Sequence, residues 1–330
     1  LFALLAGSPC ITWFQLSVDW SIDILRIQFI MLPSKRGPMT IVNKHNAPKS
    51  FITFCSNDQY SRGKADYSAT QLIDEPRIVH LNSRHPDYGS DDPYENPWKF
   101  ISTILHGLME ENSPEEEIAE ERLFASIDGV TISGAMDVQV INGDKITIGD
   151  YKMTTVFGIK DTKKFEQQLN IYAWLVEKCS DKKVEGLEIY AFLRDWKISM
   201  AEKIIGYPPT PGITIPIPLW SYDERESFIR ERVGLLKESE DLDDDDLPPC
   251  SHEGRWPGGT LYSVTSLDSD AQLLFPTKTK AKAYVDSFGE QAQAWTVIGK
   301  TFENYRRCKS YCEFNDTCNI YRRFLDDRAN

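Results

Sequence analysis

Two aspartates lie on either side of a predicted turn in the segment GAMDVQVINGDKITIGDYK, and together they could bind a metal ion. Asp137 and Asp150 flank Asn142-Gly143, a dipeptide typical of β-hairpin turns. A four-residue loop over 142–145 would place the two aspartates directly opposite each other, with Cβ atoms about 5 Å apart, and a two-residue loop would place them diagonally, about 7 Å apart. In both arrangements two carboxylates can share one hard divalent cation.

Lys152 follows Asp150 by two residues and therefore lies on the same face of the predicted strand. A lysine beside a metal site can orient water or stabilise charge that develops on a phosphate, which suits metal-assisted phosphodiester hydrolysis. The alternative is a solvated strand face with ordinary charged residues. The D-x-K tripeptide alone does not decide between them, because it recurs at Asp161, Asp181 and Asp195. Only the copy at Asp150 lies in a strand pattern with a second acid across a turn.

Three further residues fall near this hairpin in the predicted order of elements. His106 lies on the preceding helix, where it either completes a His/Asp/Asp metal set or is a structural histidine. Gln168 and Tyr172 are i,i+4 neighbours on the following helix. Tyr172 could face the site or belong to the core.

The elements that must position these side chains follow from hydrophobic periodicity. We predict a short helix from Tyr67 towards Pro76 with Ser68 as its N-cap, and a second helix that begins at Pro97. The apolar stripe of that second helix is predicted to comprise Ile101, Ile104, Leu105 and Leu108.

From residue 121 the pattern changes to alternation, which indicates strands joined by turns at Asp128-Gly129 and Asn142-Gly143. The predicted strands cover 122–130, 131–141, 145–153 and 184–196, and the predicted helices cover 162–178 and 221–238. This order predicts an α/β fold whose single mixed sheet carries a site at its edge.

Composition limits the classes of function. The 330-residue chain is 41% hydrophobic and 26% charged, which excludes wholesale disorder. Its 50 acidic and 37 basic residues give a net charge of −13, so it is not a histone-like protein that binds nucleic acid through bulk positive charge.

We predict four regions along the chain. Residues 1–38 are expected to be a non-native or disordered leader, with the natural start at Met39 or Met31. Residues 39–240 form the core, 241–249 an acidic linker, and 250–330 a cysteine region that packs on the core.

Cys308, Cys312 and Cys318 lie within eleven residues near the C-terminus, and such clustered thiols suit metal ligation. Cys250 is the preferred fourth ligand, and Cys55 is the next candidate. Zinc is one possible metal, because four-cysteine zinc sites are common; unmetallated thiols are the other interpretation. The basic residues around the trio could contact phosphate or form a solvated helix face: Arg306, Arg307, Lys309, Arg322 and Arg323.

Taken together, His106, the GAMD motif that ends in Asp137, Asp150-Tyr151-Lys152 and Gln168-x-x-x-Tyr172 resemble the motifs of PD-(D/E)XK nucleases. The resemblance is to the branch with RecB and AddB nuclease domains, CRISPR adaptation nucleases and lambda-type exonuclease. It covers residue 67 to the C-terminus and implies a restriction-endonuclease-like core with a Cys-rich C-terminal extension.

The resemblance also implies roles for individual residues. His106, Asp137 and Asp150 would bind Mg²⁺ or Mn²⁺, with the carbonyl of Tyr151 as a further ligand. Lys152 would be catalytic, with Gln168 and Tyr172 in support near the DNA. In RecB-like relatives a remote cysteine and a C-terminal trio hold a [4Fe–4S] cluster, which implies the same here, with zinc as the alternative.

The implied function is that of an exonuclease acting on single- or double-stranded DNA ends in phage or recombination and repair processing. The implied partners are a helicase or a single-strand annealing protein. No membrane association is expected, and the expected location is the cytoplasm, that of a bacterial host if the chain is phage-encoded. Two alternatives remain: a catalytically inactive DNA-binding module, and a metal-stapled interaction subunit of a recombination complex.

Overall fold

The structure is a computed structural model, and it describes residues 40–56, 63–86, 88, 90–257, 260–266, 272–301 and 305–329. The predicted leader, residues 1–38, lies outside the described residues. The chain divides into two compact units: one comprises residues up to 74 together with 82–241, and the other comprises 75–81 together with 242–330.

Among its described residues, the first unit contains eight strands: β1 (Thr40–Ile41), β2 (Tyr67–Ser68), β3 (Ser90–Asp91), β4 (Glu117–Ile127), β5 (Val130–Asn142), β6 (Lys145–Thr154), β7 (Lys183–Leu193) and β8 (Gly212–Ile217). Its helices are α1 (Lys49–Ser56), α2 (Ala69–Leu72), the end of α3 (Pro76–Arg84), α4 (Pro97–Glu111), α5 (Lys163–Cys179), α6 (Ile198–Ala201) and α7 (Tyr222–Glu238).

A six-stranded mixed sheet forms the centre of this unit, in the order β2-β5-β6-β7-β8, with β4 also paired to β5. The β6–β7 and β2–β5 pairs are parallel, and the remaining pairs are antiparallel. Helices pack on this sheet. The predicted α/β class with a central mixed sheet flanked by helices is therefore confirmed.

Both predicted hairpins form, and the second sets the register of the two aspartates. Asp128 and Gly129 adopt φ values of 51° and 78°, as a two-residue hairpin turn that favours Asp-Gly requires. In the second hairpin Asn142 pairs with Lys145, so the turn residues are Gly143, with φ of 65°, and Asp144. The turn lies one residue later than the predicted Asn142-Gly143.

Helix α5 covers the sheet with an almost continuous buried face. Leu169, Trp174 and Leu175 are fully buried. The helix approaches β5 closely at Gly134, because a Cβ there would lie 2.6 Å from Leu175 Cδ1 and 2.8 Å from Tyr172 Cδ1. The glycine of the GAMD motif therefore allows α5 to pack against the strand that carries Asp137.

Two sequence predictions about helices are wrong in detail. The helix expected from Tyr67 is divided: Ser68 caps α2 through a capping box, and a separate helix α3 begins at Pro76. A proline disfavours helical backbone in the residue before it and is accommodated in the first helical turn, so it separates the two helices. The predicted stripe on α4 is only partly covered, because Ile104 and Leu108 are 42% and 52% exposed.

The second unit contains the start of α3, a three-stranded antiparallel sheet and three further α-helices. These elements are β9 (Thr260–Ser266), β10 (Gln272–Phe275), β11 (Trp295–Thr301), α8 (Lys278–Asp286), α9 (Arg306–Ser310) and α10 (Asn319–Ala329), with a 3₁₀ turn at Gly289–Ala294. The buried guanidinium of Arg77 joins distant segments: it donates to the carbonyl of Leu247 at 2.5 Å and to Asn319 Oδ1 at 2.6 Å.

None of the helices within the described ranges has both the length and the apolar character needed to cross a bilayer.

Candidate metal centre and cysteine cavity

Asp137 and Asp150 lie where strands β5 and β6 separate. The last paired residues are Val138 and Gly149, and the same register continued by one step places Asp150 opposite Asp137. The backbone N–H of Tyr151 instead donates to Asp137 Oδ2 at 2.8 Å. This side-chain bond fixes the carboxylate at the opening between the strands, and both aspartates are buried, at 8% and 1% exposure.

His106 of α4 and Glu120 of β4 converge on Asp137. The Nδ1 atom of His106 lies 3.3 Å from Glu120 Oε1 and 3.6 Å from Asp137 Oδ1. Within the part of the chain that the structure describes, these three residues form the one group whose donor atoms all lie within 4.8 Å of one another. The predicted metal ligands His106 and Asp137 are therefore adjacent, and a third acidic residue joins them.

Glu120 was not identified from the sequence. It lies across from Asp137 in the β4–β5 register, between the paired residues Ala119 and Glu121, but is not itself paired. Its φ of 49° is unusual for a residue other than glycine. Backbone strain of this kind occurs preferentially at functional sites. No motif spacing marks this glutamate, and only the strand register shows that it reaches the site.

Asp150 is almost fully buried beside Lys152. The Nζ atom of Lys152 lies 2.5 Å from Asp150 Oδ2. Even so, neither carboxylate oxygen of Asp150 accepts a hydrogen bond of good geometry from the described residues. A buried carboxylate usually has hydrogen-bond partners, so Asp150, whose Oδ2 is in an ion pair with Lys152, can accept a further ligand, and a cation is the natural one.

These donors fit a divalent cation. Ligands held octahedrally at about 2.1 Å lie about 3.0 Å apart when adjacent and about 4.2 Å apart when opposite. The distances from His106 Nδ1 to the two carboxylates fall between these values. Carboxylate oxygens, which are the majority of these donors, are ligands that suit Mg²⁺ and Mn²⁺.

The ionisation of the site reflects burial of like charges. Burial, and then the neighbouring Asp150, raises the pKa of Asp137 to about 7. The hydrogen bond to Glu120 raises the pKa of His106. Burial acts to lower the pKa of Lys152, but Asp150 and Asp137 outweigh it and raise the pKa. Without a cation, the positive charge in the site therefore comes from His106 and Lys152.

Gln168 and Tyr172 lie together on α5, as their spacing predicted. Gln168 Nε2 donates to the hydroxyl of Tyr172 at 2.7 Å, and Tyr172 is 4% exposed. The ring centroids of Tyr151 and Tyr190 lie 5.5 Å apart, with the rings tilted by 36°. Gly149 leaves room for Tyr190, because a Cβ at Gly149 would lie 2.3 Å from Tyr190 Cε2.

The four predicted cysteine ligands meet in the second unit. Cys250, Cys308, Cys312 and Cys318 all line one cavity, together with Arg255 and Arg307. Cys55, the next candidate, lies buried in helix α1 of the first unit. The structure therefore brings Cys250 to the trio across 58 residues of sequence.

Without metal, the thiols of Cys250 and Cys308 are held protonated. Burial, and then Glu75, raises the pKa of Cys250 to about 12, and burial, and then Cys312, raises that of Cys308 to about 11. Arg307 acts in the opposite direction on both thiols. Metal binding here must therefore release protons, and the adjacent guanidinium can offset the charge of bound thiolates.

Comparisons with known proteins identify a family for this geometry. Residues 99–319 match the family model of the PD-(D/E)XK nuclease superfamily. A solved structure described as "Crystal structure of SSO0001" is 16% identical, with a TM-score of 0.37, and the match covers 57% of this chain and 82% of that one. No curated protein matches the chain.

Proposed function

Because the chain belongs to the PD-(D/E)XK nuclease superfamily, a family of metal-dependent nucleases, we propose that it hydrolyses the phosphodiester bonds of DNA as an exonuclease that uses Mg²⁺ or Mn²⁺. The observation that carries this proposal is the convergence of His106, Glu120 and Asp137 beside buried Asp150 and its ion-pair partner Lys152.

Each residue has a role that its surroundings support. Asp137 and Asp150 would hold the cation, with His106 and the carbonyl of Tyr151 as further ligands. Glu120 would either bind the cation directly or hold His106 through its Nδ1 atom. A divalent cation in this site would neutralise charge on the phosphate and lower the pKa of water.

Lys152 would contribute a positive charge that the carboxylates position. Its ammonium contacts Asp150 and its side chain is 27% exposed, so it can reach a phosphate from the side of the site that faces solvent. As a hydrogen-bond donor it would orient the phosphate and stabilise the charge that accumulates during cleavage. Gln168 and Tyr172, bonded to each other on α5, would support this arrangement.

Digestion of end-labelled DNA tests both the activity and the exonuclease proposal. Linear single-stranded and double-stranded substrates and a covalently closed circle should be incubated with Mg²⁺, with Mn²⁺ and with EDTA. We expect loss of linear substrates from their ends with either metal, an intact circle, and no cleavage in EDTA. Linearisation of the circle would contradict the exonuclease proposal, and absence of all cleavage with both metals would contradict the nuclease proposal.

We also propose that the cysteine cavity holds a [4Fe–4S] cluster. A tetrahedral zinc site has Zn–S distances of about 2.3 Å and therefore sulfurs about 3.8 Å apart. No three cysteine sulfurs of the described residues lie within 4.8 Å of one another. The four thiols share one cavity, so the wider spacing favours a larger inorganic cluster.

Anaerobic purification distinguishes the two metals. We expect a brown protein with absorbance near ~400 nm and about four iron atoms per chain. A colourless protein with one equivalent of zinc would overturn the cluster proposal. Cys312→Ser should lose the absorbance, whereas Cys55→Ser should keep it.

We propose further that the protein associates with a helicase or an annealing protein in recombination, which would supply the nuclease with DNA ends. Co-purification of the tagged full-length chain with such a protein would support this role, and a chain that purifies alone and degrades DNA unaided would count against it.

A further inference from the structure

An aromatic and cationic surface beside the cysteine cavity belongs to the second unit and has no role in the chemistry described above. Trp256 and Tyr311 are 38% and 64% exposed, and their ring centroids lie 5.3 Å apart at an angle of 59°. Rings at this angle do not stack on each other. A face of Tyr311 therefore remains accessible to a further flat ring.

The backbone holds Trp256 in an exposed position. Trp256 has a φ of 53°, which is unusual for a bulky residue. Its carbonyl accepts a hydrogen bond from the N–H of Arg306 at 3.2 Å, and the carbonyl of Arg255 accepts one from the N–H of Arg307, also at 3.2 Å. The turn that carries the tryptophan is thus bonded to the start of α9.

Glu75 also anchors this turn. Its two carboxylate oxygens accept hydrogen bonds from the N–H and the hydroxyl of Ser251, at 2.9 and 2.7 Å. A Cβ at Gly254 would lie 1.8 Å from Glu75 Oε1, so only glycine permits this contact. The ring of Trp256 is therefore presented from a fixed backbone and would lose little conformational freedom on binding.

One cation lies over the Trp256 ring, and another lies over the neighbouring ring of Tyr305. The guanidinium carbon of Arg307 lies 5.7 Å from the centre of the Trp256 ring, and that of Arg255 lies 4.2 Å from the centre of the Tyr305 ring. Arg306 and Lys309 are exposed on α9. Between residues 305 and 325 the chain has five basic and two acidic residues, whereas its net charge is −13. The acidic residues Glu313 and Asp316 and the nearby Glu253 are also exposed.

We propose that this surface, formed by Trp256, Tyr311, Arg306 and Lys309, binds single-stranded DNA by stacking bases on both Tyr311 and Trp256 while the cations contact its phosphates. Exposed aromatic rings among basic side chains are the elements that bind single strands without sequence preference. A buried aromatic pair would have suggested core packing, and a basic patch without rings would have suggested phosphate contact alone. The inference rests on and extends the proposed nuclease function, because it assigns a second binding surface for the substrate strand.

Binding of fluorescein-labelled oligo(dT) to the full-length protein in EDTA tests the proposal without cleavage. Tyr311→Ala should weaken binding by about 5- to 100-fold, the range expected for loss of one stacked base. Tyr311→Phe should bind as the native protein does, because it retains the ring. Leu325→Ala, which truncates another exposed apolar side chain of the same unit, is the matched control and should have no effect.

A second variant tests the proposal even if Tyr311→Ala fails to fold. Trp256→Phe keeps an aromatic ring, so it should retain binding but lose part of the tryptophan fluorescence quenching that oligo(dT) causes. Replacing Arg306 and Lys309 with Gln should lower the dependence of binding on salt.

Three results would overturn the proposal: native affinity in Tyr311→Ala, an unchanged quenching amplitude in Trp256→Phe, or sensitivity to the two cation replacements alone. The binding test is independent of the nuclease proposal. A protein that binds oligo(dT) through Tyr311 but never cleaves DNA would refute only the nuclease proposal, and a protein that cleaves DNA with Tyr311 irrelevant would refute only this one.

Discussion

Asp137→Asn should stabilise the metal-free protein at neutral and alkaline pH. Asp137 is 8% exposed and shares its site with Asp150, and these surroundings raise its pKa from the ordinary value of 3.8 to about 7. Asparagine removes the charge but keeps an oxygen that can accept the N–H of Tyr151, as Asp137 Oδ2 does now. The substitution therefore relieves repulsion without leaving the backbone N–H unpaired.

The size of the effect follows from proton linkage. Each pKa unit corresponds to about 1.36 kcal/mol, so the difference between 3.8 and about 7 limits the destabilisation to about 4 kcal/mol. Below pH 4 the carboxyl is protonated in both states and has no effect. Between pH 4 and 7 the unfolded state releases its proton first, so the free energy of unfolding falls as the pH rises. Above pH 7 the full penalty applies.

Urea unfolding in EDTA between pH 5 and 8 measures this prediction. The stability advantage of Asp137→Asn over the native protein should grow with pH and level off above pH 7. Asp144→Asn, which neutralises an exposed aspartate in the neighbouring turn, should show no such trend. A difference between Asp137→Asn and the native protein that does not change with pH would refute the proposed burial of like charges.

Saturating Mg²⁺ should reduce the stability advantage of Asp137→Asn. A ligand at 100 times its Kd stabilises the folded state by about 2.7 kcal/mol, and the native protein should gain this whereas Asp137→Asn gains little. Equal stabilisation of both proteins by Mg²⁺ would place the cation elsewhere.

Two further substitutions test the surroundings of the site. Glu120→Gln should weaken Mn²⁺ binding by about 10- to 100-fold in isothermal titration calorimetry, because it removes a charged neighbour of His106. Glu116→Gln, on the same segment but exposed, is the control. Equal Mn²⁺ affinities of Glu120→Gln and the native protein would show that Glu120 is not part of the site. Gly149→Ala should lower the free energy of unfolding by about 1–3 kcal/mol, since the new methyl group collides with Tyr190. A variant as stable as the native protein would show that β6 and β7 are not packed as described.

The sequence predicted those features that depend on local signals. Asp-Gly and Asn-Gly are typical of tight turns, and the alternation around them is typical of strands. The hairpin that carries Asp137 and Asp150 was therefore predictable, although its turn lies one residue later than the Asn-Gly pair indicated. The contact between Gln168 and Tyr172 was also predictable, because residues four apart on a helix are neighbours.

Features that depend on tertiary register were not predictable from the sequence. Glu120 reaches His106 because an unpaired residue in β4 adopts a left-handed conformation opposite Asp137, and no residue spacing encodes that. The exposure of Ile104 and Leu108 on α4 likewise depends on what packs against the helix rather than on its amphipathic pattern.

The most direct test of the account is metal-dependent cleavage by Lys152→Ala compared with Lys183→Ala. Both lysines end a D-x-K tripeptide in the same sheet, but only Lys152 contacts a buried aspartate at the metal centre. With Mg²⁺ and end-labelled linear DNA, Lys183→Ala should cleave at the native rate, and Lys152→Ala should show no cleavage although circular dichroism shows that it is folded. Cleavage by Lys152→Ala at the native rate would contradict the assignment of this site as the nuclease centre.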